Sequence, residues 1–272
     1  SASNGPVRGW NGWKPSPPDI PHLHNLRDAP RPFVIEPPLE NRTQYAAGEV
    51  LEFGLVLIGR GTEYLPYFLF AFERLGQMGI GKQRTRARLE RVEALSAWQP
   101  TGLVIYQDGR VLPDAERLPL IDAAMIASRA ISLPVDLLLR LPTPLRIKKR
   151  GDWLQQVDPA VLVQQLCWRL HALAVFHGGG PWEIHHRDLA ALAQEIVVEQ
   201  EQVQWVDWGR TSRRGGQQQH MILGGLVGSA VLRGVPPAVR VLLLAGSLVH
   251  VGKACVFGHG GMVVERVRSG SE

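Results

Sequence analysis

Residues 54–92 and 225–267 pass through the same series of features, and this duplication limits the fold more than any other property of the chain. Each stretch runs Gly-Leu-Val, an apolar strand, an Arg-Gly turn, a Pro-initiated helix, a glycine-rich loop and a strand ending Glu-Arg-Val. The offset is 171 at Gly54/Gly225 and at Pro66/Pro237, and 175 at Arg91/Arg266. A short fixed period would indicate a solenoid, whereas one long offset indicates two related units.

Local signals fill in the elements. Phe33–Glu36 reads as a strand closed by Pro37-Pro38, and 50–59 as a buried strand. A helix is predicted from Pro66 to Gly76, then a strand from Gln83 to about Val92 with Arg84, Arg86 and Arg88 on one face. Leu103–Leu112 reads as a hairpin turning at Asp108-Gly109, and Asp122–Ala130 as a helix. Further on, 144–149 is a predicted strand, and Asp158-Pro159 starts a helix with the buried stripe Leu162, Leu166, Leu170 and Leu173, ended by Gly178. Ile196–Val198 and Val203–Arg210 are expected to form a hairpin. Met221–Leu232 is apolar, Pro236-Pro237 opens a helix reaching Leu248, and 262–267 closes as a strand. Taken together, the second unit has the βαββαβ ferredoxin-like order, with its helices on one face of the sheet. The expected division is a proline-rich lead over 1–32, a partial first unit over 33–130 and a second over 131–272. The exposed sheet face and the terminal glycine loop are then available to a ligand.

Composition excludes several classes. At 272 residues and 45% hydrophobic the chain is long and apolar enough to bury a core. Its charge-free apolar runs, Met221–Leu232 and Val241–Val251, are shorter than the roughly 20 residues of a membrane-spanning helix. Two cysteines make no disulfide framework and indicate a reducing compartment, so a soluble cytoplasmic protein is expected. Glycine and proline together reach 49 residues, clustered beside apolar runs, which suggests sites built from backbone. The net charge of +5 hints at a polyanionic partner, and residues 131–272 hold most of it, with 15 Lys+Arg against 11 Asp+Glu.

Gly252-Lys253 is not a Walker A loop, because Ala254 replaces the hydroxyl residue and a helix precedes the loop rather than following it. What remains is a run of backbone N–H groups beside a cation, suited to phosphates of an extended polyanion.

The run Gly224-Gly225-Leu226-Val227-Gly228, then Leu244–Gly252, then Gly252-Lys253-x-x-x-Phe257-Gly258-x-Gly260 resembles the C-terminal signature of the CRISPR-associated pre-crRNA-processing endoribonucleases of the RAMP (repeat-associated mysterious protein) superfamily. Trp208–Arg214 looks like that family's basic hairpin segment, and Pro32–Pro38 with Leu57–Tyr67 like its first-domain pattern. The resemblance implies an α+β chain of tandem ferredoxin-like domains, the first incomplete or diverged. It implies binding of CRISPR repeat RNA or crRNA and cleavage beside the repeat hairpin, with no cofactor, no metal and no membrane partner. A base takes the ribose 2′-OH proton, the oxygen attacks the adjacent phosphate in line, and a cation stabilises the charge that develops. The alternative is a non-catalytic RAMP subunit that holds crRNA as a scaffold among CRISPR effector-complex subunits.

In the family the catalytic histidine follows the first strand of the first domain. Here Trp13 stands where it is expected, and His22 and His24 are the nearest substitutes, with Lys253 as the cation. Arg210, Arg213 and Arg214 beside Gly215-Gly216 make a basic hairpin expected to touch phosphate. Gly252, Lys253, Gly258, His259, Gly260 and Gly261 form the expected RNA-binding loop. Lys148-Lys149-Arg150 and the Arg84, Arg86, Arg88 stripe could line a groove or be ordinary solvated faces. The RNP1 aromatic pattern is absent, so recognition is expected to rest on shape and backbone.

Overall fold

A computed structural model describes residues 29–267 apart from 41, 43, 99–100, 182–184, 208, 215–216 and 223. His22 and His24 lie outside the described residues.

The first half contains β1 (Phe33–Glu36) and β2 (Gly54–Leu57), paired antiparallel, with Phe33 opposite Leu57 and Glu36 opposite Gly54. A 3₁₀ segment leads into α1 (Leu65–Met78), with proline in its first turn, where the missing N–H costs nothing. Next come β3 (Arg91–Ala94), β4 (Leu103–Gln107) and β5 (Arg110–Val111) in one antiparallel sheet. Gln107 pairs with Arg110 across Asp108-Gly109, whose positive φ values of 48° and 81° give the expected two-residue hairpin turn. The buried Tyr106 hydroxyl donates to Glu73 and ties β4 to α1; burial, reinforced by that carboxylate, pushes its pKa up to about 12. Asp122 caps α2 (Ala123–Ile131) by accepting from the Met125 N–H at 2.8 Å.

The second half opens with β6 (Leu137–Leu145), followed by the short hairpin of β7 (Lys148–Lys149) and β8 (Asp152–Trp153). Then come α3 (Pro159–His177), α4 (His186–Gln194), β9 (Val197–Val206), β10 (Gly209–Arg214), β11 (Gln217–Ile222), β12 (Gly225–Arg233), α5 (Pro237–Val249) and β13 (Val263–Arg266). The main sheet has the order β13-β6-β12-β9, antiparallel throughout. Two interleaved βαβ units give this arrangement, the ferredoxin-like fold. On β6 the inward residues Leu137, Leu139 and Leu141 alternate with outward ones, and they pack with Leu162, Leu166, Val239, Leu242 and Leu243 in one core. Arg169 of α3 donates to the Val249 carbonyl at 2.6 and 2.8 Å, satisfying the end of α5.

The duplication is visible in space. The series β1, β2, α1, β3 repeats as β9, β12, α5, β13. The chain is α+β, built of tandem ferredoxin-like halves with the first diverged. The counterparts of β6 and α3 would precede β1, where most residues are outside those described.

Several boundaries differ from the sequence reading. The strand expected over 83–92 starts only at Arg91, as β3: residues 81–84 turn, with Ile80 and Thr85 bridged and Arg84 at φ 50°, and 86–90 have no regular structure. Arg84, Arg86 and Arg88 therefore do not share a strand face. The strand expected at 144–149 begins at Leu137, running through Pro142 and Pro144, and the leucines of β6 outweigh the proline signal. The hairpin expected across 196–198 and 203–210 is one strand, β9; its interruption at Gln200 (φ 47°) is a bulge against β12. Finally, α4 begins at His186, with His185 at its N-cap position.

The Leu166 side chain is fully buried between the helices and the sheet. Leu166→Ala is expected to cost about 2–5 kcal/mol, read as a lower midpoint at unchanged slope in urea unfolding.

Candidate nucleic-acid interface

One end of the main sheet gathers most of the basic side chains singled out in the sequence. The C-terminal end of β6, the N-terminal end of β12 and the C-terminal end of β9 meet there, with Leu226 opposite both Leu145 and Trp205. Beyond Leu145 the chain turns into the β7–β8 hairpin, closed by Leu154 N–H to the Ile147 carbonyl at 3.0 Å. The loop after α5 reaches the same end, because Lys253 N–H donates to the Arg146 carbonyl at 3.0 Å.

Trp153 is the centre of this end. Its ring rests 6.3 Å from that of Trp205, which packs on the core. Over Trp153 sit the Arg146 guanidinium at 4.3 Å, the Lys148 ammonium at 4.7 Å and the Lys253 ammonium at 5.5 Å. Three cations on one indole repel one another, and each cation–π contact offsets only about 0.5–1 kcal/mol at an exposed site. An anion would relieve that repulsion. Lys149, on the other face of the hairpin, is committed to Asp158 at 2.5 Å. Burial pushes the Asp158 carboxyl up, but the bonds from Lys149 and the Val161 N–H outweigh it and hold the group below the usual range.

The β10–β11 hairpin continues from this end. Val206 pairs with Gly225 at the close of the main sheet, and Gly209 pairs with Ile222 at the start of the hairpin. Arg210, Arg213 and Arg214 lie on β10, so the backbone places them on an extension of the end that carries Lys253 and Trp153. The Trp153 platform is absent from the sequence reading; its signal was the Lys148-Lys149-Arg150-Gly151 turn, which returns the chain to pair Lys148 with Trp153.

The glycine loop itself corrects the expectation of free N–H groups and an RNA-facing His259. The Gly258 N–H donates to the Cys255 carbonyl at 2.8 Å, that of Gly260 to Pro144 at 3.0 Å, and that of Gly261 to Thr143 Oγ1 at 2.8 Å. His259 is 1% exposed. Gly258 (φ 82°) lies against Pro37 and the Ile35 carbonyl, and Gly260 (φ 70°) against the Val251 backbone, where a Cβ would collide. Gly258 thus packs the loop onto the end of β1 and Gly260 and Gly261 bind it to β6, leaving Lys253 exposed and Gly252 half-exposed.

Beside the loop, His250 donates from Nδ1 to the His259 carbonyl at 3.0 Å and faces Glu36 Oε1 from Nε2 at 2.8 Å. The ring thus bridges the loop backbone and the carboxylate at the end of β1. Among the described histidines, His171 is buried and edge-on to His186 at 5.7 Å, and His177 contacts the Pro30 carbonyl at 2.6 Å. None of these rings belongs to the Trp153 cluster. Among the described residues no three His, Cys, Asp or Glu side chains converge as a metal site, and no helix is long and apolar enough to cross a membrane.

Comparison with known proteins follows this division of the chain. Residues 139–262 match the family of the CRISPR-associated endoribonuclease Cas6, and residues 13–118 match a family described as an N-terminal domain (AF_1859_N). No curated protein matches. Among solved structures, a Thermus thermophilus Cas6 product complex is 19% identical with a TM-score of 0.56, over 90% of this chain and 86% of that one. A partial Cas6-RT-Cas1–Cas2 complex is 15% identical with a TM-score of 0.56, over 88% of this chain and 40% of that one. These likenesses are of fold.

Burial, then the charges of Arg146 and His250, hold the His259 pKa below its usual value. A neutral folded ring and an unfolded chain that binds the proton more readily mean stability present above about pH 6.5 and lost as pH falls through the lowered value. His259→Gln is expected to flatten that acid slope in denaturant unfolding at pH 7.5 and 5.5; an unchanged slope would assign it to other groups.

Proposed function

We propose that the chain, whose residues 139–262 match the family of the CRISPR-associated endoribonuclease Cas6, binds CRISPR repeat RNA hairpins and cleaves precursor crRNA into guide units. The observation that carries this reading is the Trp153 cluster, where Arg146, Lys148 and Lys253 converge on one ring beside the Arg210–Arg214 hairpin. Such a surface suits the phosphates of a folded RNA, with charge for affinity and one indole for a base or sugar. The division into a lead over 1–32, a first domain over 33–130 and a second over 131–272 belongs to the same proposal.

The chemistry is attack by the 2′ oxygen. A histidine, His24 or His22, takes the 2′-OH proton; the oxygen bonds to the adjacent phosphorus; the bond to the 5′ oxygen breaks and that oxygen takes a proton from water, leaving a cyclic phosphate and a 5′ hydroxyl. Lys253 stabilises the extra negative charge on the phosphoryl oxygens. In this reading side chains serve as the base and the cation, and no metal ion or other cofactor takes part.

A second reading, a scaffold that holds crRNA without cutting it, has one observation in its favour: among the described residues no histidine lies in the Trp153 cluster. Labelled repeat RNA incubated with the protein in EDTA separates the two. Cleavage at one site, abolished by a 2′-deoxy substitution there and by His24→Ala or His22→Ala, supports the nuclease. Tight binding without cleavage supports the scaffold, and no preference over a scrambled hairpin removes both.

Lys253→Ala is expected to weaken binding at near-physiological salt and to lower the slope of log K against log salt by roughly 0.7–0.9, the value of one phosphate contact. Identical slopes would take Lys253 out of the interface.

A further inference from the structure

The duplication supplies a second loop in the position of Gly252–Gly261. After α1, as after α5, the chain turns through glycines before entering a strand. The two copies have opposite surroundings. The second is packed against β1, its N–H groups spent inside the protein. The first, from Gly79 to Arg88, is a tight hairpin projecting from the surface. Ile80 and Thr85 exchange backbone hydrogen bonds at 2.8 and 3.1 Å, and Arg84 N–H returns to the Gly81 carbonyl at 3.2 Å. Residues 81–88 are exposed throughout.

Within those eight positions stand Lys82, Arg84, Arg86 and Arg88. Arg88 is loosely shared between Glu90 at 3.9 Å and Asp108 at 3.8 Å, with its side chain 74% exposed. Among the described residues no carboxylate pairs with Lys82, Arg84 or Arg86. An ordinary solvated face mixes its charges and pairs some of them; this hairpin concentrates one sign on a backbone pinned by its own hydrogen bonds. The ordering entropy is therefore already lost before any ligand arrives.

Its location fits the same ligand as the Trp153 cluster. Gly258 of the second loop packs against Ile35 and Pro37 at the C-terminal end of β1, where Glu36 lies opposite Gly54. Phe53 just before β2 stacks edge-on against Phe72 of α1 at 4.9 Å. Running back from the far end of β2, α1 thus delivers the Gly79–Arg88 hairpin towards the end of β1 that the second loop covers.

We propose that the Gly79–Arg88 hairpin is a second phosphate-binding site, gripping the backbone of an RNA whose folded part lies on the Trp153 cluster. This rests on the RNA-binding reading above and extends it to the part of the RNA outside the hairpin stem. Four exposed cations stand within seven residues, at 82, 84, 86 and 88, and each Lys or Arg that meets a phosphate neutralises one charge.

Fluorescence anisotropy with two labelled RNAs tests it, a repeat stem-loop alone and the same stem-loop with single-stranded flanks, across salt concentrations. The triple variant Lys82→Ala, Arg84→Ala, Arg86→Ala is expected to bind the flanked RNA about tenfold or more weakly, with a salt slope lower by about 2, since each lost contact removes roughly 0.7. It should bind the bare stem-loop as the unchanged protein does. A control triple, Arg110→Ala, Arg129→Ala, Arg187→Ala, removes the same charge from exposed positions elsewhere. An equal loss in the control, or a hairpin variant that binds the flanked RNA as tightly as the unchanged protein does, overturns the proposal. Weakened binding by Lys148→Ala, Lys253→Ala with an unaffected hairpin variant would leave the Trp153 cluster standing and remove only the second site. Failure of the unchanged protein to bind either RNA would remove both.

Discussion

The contact between the buried glycine loop and β1 decides where everything else in this molecule can sit. Gly258 can lie on Pro37 and the Ile35 carbonyl only without a side chain, and its φ of 82° is one that glycine adopts freely. His250 and Glu36 lock the same seam at 2.8 Å, with the imidazole 3% exposed. His177 reaching the Pro30 carbonyl and the 3₁₀ segment packing on α3 extend it along the first half. The N–H groups of Gly258, Gly260 and Gly261 are bonded to the Cys255 carbonyl and to Pro144 and Thr143 of β6, so the cation the loop presents to solvent is Lys253 at its exposed start.

From that constraint the electrostatics follow. The loop holds Lys253 against Arg146 through a backbone hydrogen bond, and the β7–β8 turn folds Trp153 under both. Like charges brought this close raise the local potential and are costly in the free protein, a strain that an incoming polyanion removes. The β10–β11 hairpin grows from the same strand ends, with Arg210, Arg213 and Arg214 on its first strand. Affinity thus comes from an end of the sheet, while the helix-covered face remains the stabilising one.

Much of this was legible because it was periodic or capped. Phe33–Glu36, the Asp108-Gly109 turn, the Asp122 cap and the Asp158-Pro159 helix start are local signals, and each recurs in the structure. The expected strand omits the first part of β6 because Pro142 and Pro144 look like breakers; β6 accommodates them where its pairing with β13 has ended and its register with β12 shifts, between Leu226 and Gly228. The role of the glycine loop was misjudged for a physical reason. Glycines that free the backbone for a ligand and glycines that let two backbones touch have the same sequence, and only the approach of Pro37, more than 200 residues away, distinguishes them. The Trp153 platform was equally hidden, since Arg146, Lys148 and Lys253 become neighbours only through the sheet.

The two copies of the helix–loop–strand passage show what a duplication allows. Both began with glycines after a helix and a basic residue nearby, but one copy faces the other half of the molecule and one faces water. The inward copy kept one exposed cation and buried a histidine, because desolvating several charges at a seam would cost more than the seam contributes. No such limit acts on the outward copy, so its positions could fill with Lys82, Arg84, Arg86 and Arg88 at little cost in stability. The asymmetry of charge between the loops is what burial alone predicts once one of them has become the joint between the halves.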